Sequence, residues 1–217
     1  MEALANIKRT LVIGFLSLPL MIFVFTGFVG ISLGNLSMLL FVFGQIAVGL
    51  VVGLFHVMTG KTEFAFTKYS DLGNLIPSAT DPLQRDINVF PSYWVALVSF
   101  FFTYVASNAI SVAKMPKEGK QIGEALYKNR TTKSTTIAVI SILIGTIFMI
   151  MRWLQDLETV PGMAMGIALG LGMGIGWYYL SKACGARNAD ILGIVYQMLP
   201  DSAKDEKPLA CIYTPSP

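Results

Sequence analysis

The sequence predicts an all-α polytopic membrane helical bundle of about five transmembrane helices, and three observations carry that expectation. Hydrophobic residues make up 54% of the chain and Asp, Glu, Lys and Arg only 13%, about half the charge of an average soluble domain. Residues 10–60 contain no Asp, Glu, Lys or Arg at all. Three later stretches of about 20 residues are nearly as apolar, the length that crosses a hydrocarbon core about 30 Å thick. A mean hydropathy of +0.62 agrees. This composition excludes a soluble single domain and a disordered chain.

The elements follow in order within one membrane domain, 1–217. As a single helix, residues 10–60 would be a rod of roughly 76 Å, too long for one crossing, so the segment must fold back. Gly30, Ser32, Gly34, Asn35 and Ser37 cluster as turn formers, which predicts helices over about 10–29 and 36–57 joined as a tight hairpin. The apolar run after Lys8-Arg9 is longer than the core of a signal peptide and reads as an uncleaved anchor. A third helix is expected over 93–113, just after Pro91, and a fourth over 135–154 with Arg152 at its end. The fifth, 163–180, opens after Pro161-Gly162. Between them lie a loop over 59–92, a basic loop over 114–134 and a polar tail over 181–217. In the first of these, Phe64, Phe66 and Tyr69 suit a short strand or an interfacial patch; the tail holds a short helix near 189–199.

Charge sets the expected orientation. Lys114, Lys117, Lys120, Lys128, Arg130, Lys133, Lys182 and Arg187 outweigh Lys8, Arg9, Lys61, Lys68, Arg85 and Arg152 on the other side. Because positive charge favours the cytoplasm-facing side, the basic loop and tail are expected there. A glycan on the sequon at Asn129 would reverse this orientation.

Inventory excludes several chemistries. Two cysteines do not make a disulfide framework, one histidine cannot make a His-rich metal site, and a net charge of +3 does not mark a nucleic-acid binder. The spans lack Asp and Glu, so paired-aspartate proteolysis and carboxylate proton relays have no candidates. No catalytic residue, cofactor or metal ligand is therefore expected. His56 and Arg152 sit near span ends and read as side chains reaching toward the interface. Gln45 and Asn108 fall near mid-span as interhelical hydrogen-bonding groups. Phe90, Tyr93 and Trp94 at one end, and Trp177, Tyr178 and Tyr179 at the other, suit interfacial belts.

The strongest local pattern is Gly162, Gly166, Gly170 and Gly174, three overlapping GxxxG units, with Gly172 and Gly176 beside them. Without side chains, a neighbouring helix backbone approaches closely and gains van der Waals contact. Gly49 and Gly53 form a smaller stripe on the second helix. Such stripes serve either packing within the bundle or assembly with another protein, a second copy of the chain included. The basic residues Lys114, Lys117, Lys120, Lys128, Arg130 and Lys133 are candidates for contact with anionic headgroups or an acidic partner.

Phe90-Pro91-Ser92-Tyr93-Trp94, Phe100-Phe101-Phe102 and Asn108-Ala109 together resemble a pattern in multi-pass inner-membrane and minor-capsid-associated proteins of large icosahedral nucleocytoplasmic double-stranded DNA viruses. The resemblance covers about 20 of the 217 residues. It implies a structural virion protein, in inner membrane derived from host endomembranes, that ties the bilayer to capsid or neighbouring proteins and carries no catalytic residues. The expected partners are membrane lipids and other membrane or capsid proteins, not a specific nucleic acid. Two other readings compete: a small channel or transport accessory subunit using Gln45, His56 and Asn108, and a cellular tetraspan trafficking protein.

Overall fold

The computed structural model describes residues 14–15, 17–58, 90–114, 124–154, 158–185 and 191. Within them the fold is all-α, with no strand. The helices are α1 (Leu18–Ser32), α2 (Leu36–Met58), α3 (Tyr93–Ala113), α4 (Glu124–Leu154) and α5 (Val160–Ala183). Helices α2 to α5 are long and apolar enough to cross a membrane. The 15 residues of α1 reach only about 22 Å. Gly14 and Phe15 are helical ahead of it, while the expected start at 10–13 lies outside the described residues, as do 59–89 and the expected tail helix apart from Ile191.

Local chemistry explains where the helices begin and end. The α1–α2 hairpin turns at Leu33–Asn35, where Gly34 takes φ +59°, a left-handed conformation that costs glycine nothing. Asn35 Oδ1 then accepts from the backbone N–H groups of Ser37 (3.0 Å) and Met38 (3.3 Å), capping α2. Ser92 caps α3 by accepting from Val95 N, and Thr159 caps α5 by accepting from Gly162 N. Pro161 stands in the first turn of α5, where a missing N–H is no loss.

The first helix ends at Ser32 rather than 29, the fifth runs three residues past each expected end, and the largest departure is at the start of α4. The basic loop was expected over 114–134, yet α4 starts at Glu124, so 124–134 are helical and the helix has 31 residues. Glu, Ala, Leu, Lys and Arg are good helix formers, and this stretch has neither Gly nor Pro to stop propagation from the span. Polarity marks where the bilayer ends rather than where the helix ends. At about 46 Å, α4 outruns the hydrocarbon core by several turns.

Packing centres on α3, whose most extensive contacts are with α5 and α4. Down α3 and α5, Ser92 pairs with Gly162 and Gly166, Ala96 and Ser99 with Gly170, Thr103 with Gly174, and Ser111 with Lys182, so the two run parallel. Arg152 lies over Trp94 and Phe148 lies against Phe102, so α4 runs antiparallel to both. With α2 also antiparallel to α3, the chain reverses at every helix. The interior holds Phe41, Phe100, Tyr104 and Tyr178 in mutual ring contact at 5.2 to 6.1 Å between centroids. The outward faces carry Phe25, Phe28, Leu50, Leu143 and Ile147, an apolar exterior too continuous for water and suited to lipid.

Candidate functional site

The reversals bring the start of α3, the end of α4 and the start of α5 together, and there the polar groups of the bundle meet. Arg152, in the last turn of α4, is 1% exposed. Its Nε and Nη2 donate to Oε1 of Glu158 at 2.8 and 2.7 Å. Ser92 Oγ donates to the same oxygen at 2.6 Å while capping α3. The guanidinium also lies 4.6 Å from the centre of the Trp94 ring, whose Nε1 donates to Phe15 O just before α1. His56 near the end of α2 is 3% exposed, with Nε2 2.9 Å from Pro91 O and its ring edge-on to Tyr93. One constellation thus ties together the ends of all five helices.

This corrects two expectations. His56 and Arg152 do not reach outward to headgroups; both turn inward and are partnered. The reason is local stoichiometry: a carboxylate and a carbonyl are already held where these side chains would otherwise have to leave the bundle, and a charge in low dielectric favours such a partner. The belt assignments of Trp94 and Tyr178 fall for a related reason. Both are buried, and Trp177 donates its indole N–H to Leu40 O at 2.8 Å across the interior. Tyr179 remains on the outside.

Sequence reasoning missed Ser92 and Glu158. A signal for the carboxylate was present: opposite charges six positions apart, bracketing the end of one span and the start of the next. Ser92 gave only a capping signal, because its second bond is made by the tertiary fold.

Gly162, Gly166, Gly170 and Gly174 are all buried and face α3. A Cβ on Gly170 would stand 2.5 Å from Ala96 O and from Ser99 Cβ; on Gly174 it would meet Thr103 at 2.9 Å. The seam is therefore an internal contact between α3 and α5. Gly172 and Gly176 have nothing within 4 Å of a Cβ position and face outward. On α2 the close approach is made by Gly44, where a Cβ would stand 2.6 Å from Phe100 and 2.7 Å from Trp177, whereas a Cβ on Gly49 would have nothing within 4 Å. Gly53 is buried. At 100° per residue Gly44 and Gly49 stand equally far from the centre of the face defined by Phe41, Gln45, Val48 and Val52, on opposite sides of it, so spacing along the helix does not tell which of the two meets a neighbour.

The basic candidates occupy the opposite end. Lys114 is the exposed C-cap of α3. Lys128 and Lys133 are exposed on the α4 extension, and Arg130 stacks over Tyr127 at 5.1 Å. Lys117 and Lys120 lie outside the described residues. Mid-span, Gln45 and Asn108 are both buried, and Gln45 Oε1 has no hydrogen-bond partner. Among the described residues no group of three His, Cys, Asp or Glu comes together to hold a metal. No protein-family model, curated protein or solved structure matches the chain. Chemically, the paired end cluster is suited to fixing helices: its carboxylate oxygen is occupied by three donors.

Proposed function

We propose that this chain is a structural membrane protein, a scaffold that holds a fixed helical shape in the bilayer and presents the basic end of α4 to neighbouring proteins or headgroups. The observation that supports this best is the use made of Arg152, Glu158 and His56. Transporters keep ionisable groups beside a hydrated path; here each one is engaged in joining helix ends, and the interior at mid-depth is filled by aromatic rings. Lys128 and Lys133 stand beyond the hydrocarbon region on a helix continuous with the core, so a load on them is transmitted directly to the bundle. Placement in a viral inner membrane under a capsid rests on the resemblance at 90–109 alone.

Two measurements test the reading. Amine-reactive crosslinking of native membranes or particles is expected to join the chain to a second protein, with adducts reduced by Lys128→Arg/Lys133→Arg, which leaves the charge and weakens the reactivity. In liposomes, ion flux is expected to equal that of empty vesicles. Flux removed by His56→Ala or Asn108→Ala would overturn the scaffold in favour of a channel.

A further inference from the structure

Helices α4 and α5 both lean on α3 and leave a groove between them on the outer surface of the bundle. Its deep part, about 440 Å³, is lined by apolar side chains such as Ile142, Met149 and Ile167, with Ser99, Thr103 and Thr146 among them. Toward the basic end it shares Ser107, Ile110 and Ile175 with a second hollow of about 460 Å³, completed by Ser111, Lys114, Tyr179 and Lys182. The two form one channel along α3, apolar at depth and cationic at the mouth.

We propose that this groove binds one anionic phospholipid, with acyl chain against α3 and the phosphate held by Lys114 and Lys182. Length decides between a lipid and a protein helix. From Ser99 to Lys114 the groove runs about 22 Å along the α3 axis. One leaflet with its headgroup layer is about 20–22 Å deep, half of 40–45 Å. A transmembrane helix would need the full core thickness.

Charge decides the headgroup. Lysines near helix C-termini complement the helix dipole, but that effect does not require two of them to line the same hollow. Lys182 Nζ donates to Ser111 Oγ at 3.0 Å, which draws its ammonium across toward α3 and over the mouth. Cationic pockets between spans at the cytoplasm-facing side are suited to anionic headgroups, and the charge bias of the sequence favours that orientation for this end. The inference needs the protein only to span a membrane, whatever it assembles with.

The test is lipid retention by the full chain, delipidated and reconstituted in nanodiscs of phosphatidylcholine with or without phosphatidylglycerol, and read by native mass spectrometry. One phosphatidylglycerol per chain is expected. Lys114→Gln/Lys182→Gln is expected to lower its retention roughly ten- to thirtyfold with an unchanged helical circular dichroism spectrum. Ser107→Phe, which fills the shared section, is expected to remove retention while leaving both lysines in place. Equal retention of phosphatidylcholine and phosphatidylglycerol would overturn the proposal. So would full competition by inorganic phosphate, which would mark a free-anion site, or a dimer whose second copy disappears with Ser107→Phe.

Discussion

Removing the carboxylate of Glu158 is the most direct probe of the bundle. Glu158→Ala leaves the Arg152 guanidinium, 1% exposed, without the acceptor that now takes Nε at 2.8 Å and Nη2 at 2.7 Å. It also strips Ser92 Oγ of its 2.6 Å acceptor. Breaking a buried pair from one side costs about 3–5 kcal/mol, because a charge stays behind in low dielectric. The face of Trp94 at 4.6 Å still attracts the cation, by up to about 2 kcal/mol when desolvated, so a loss near about 3 kcal/mol is expected. Arg152→Met/Glu158→Leu removes both charges and is expected to recover most of that loss, since apolar replacement of a whole buried pair is often neutral. The assay is reversible unfolding in mixed micelles of mild detergent and SDS, followed by far-ultraviolet circular dichroism. Salt separates burial from surface pairing, because an exposed pair weakens as ionic strength rises and this one is expected not to. A loss below about 1 kcal/mol for Glu158→Ala would refute the reasoning, for it would mean that Arg152 turns outward to headgroups at little cost.

The glycines give an internal comparison in the same assay: Gly170→Ala is expected to destabilise by about 1–3 kcal/mol, since its Cβ meets Ala96 O and Ser99 Cβ at 2.5 Å. Gly172→Ala, two residues away in open space, is expected to be neutral or to stabilise by up to about 1 kcal/mol through helix propensity. Gln45→Met is expected to hold or raise stability by about 1 kcal/mol, because it removes a buried carbonyl oxygen without a partner; a large loss would show that the amide makes an essential bond. Ser92→Ala is expected to cost about 1–2 kcal/mol from the lost α3 cap, and Ser92→Thr to restore it.

The sequence by itself determined the helical membrane architecture, because bilayer thickness converts directly into a count of apolar residues. That arithmetic placed α3 at Tyr93–Ala113 and α2 within one residue of its observed end. It also placed the hairpin turn, since Gly34 and Asn35 act through their own backbone and side chain, with no help from elsewhere in the fold. The start of α4 escaped it because a helix, once formed in the span, continues into water as long as the residues tolerate it.

Only the tertiary structure decided which polar groups meet. His56, Arg152 and Trp94 each read as surface-seeking when judged by distance from a span end, a one-dimensional measure. Their burial depends on what the segments just ahead of α3, α5 and α1 place opposite them: Pro91 O, Glu158 and Phe15 O. The same holds for Gly44 over Gly49, where a ring from α3 and another from α5 select the position. Spacing along one helix specifies a face, but the partner that fills the space beside it is set by how the chain reverses through the membrane.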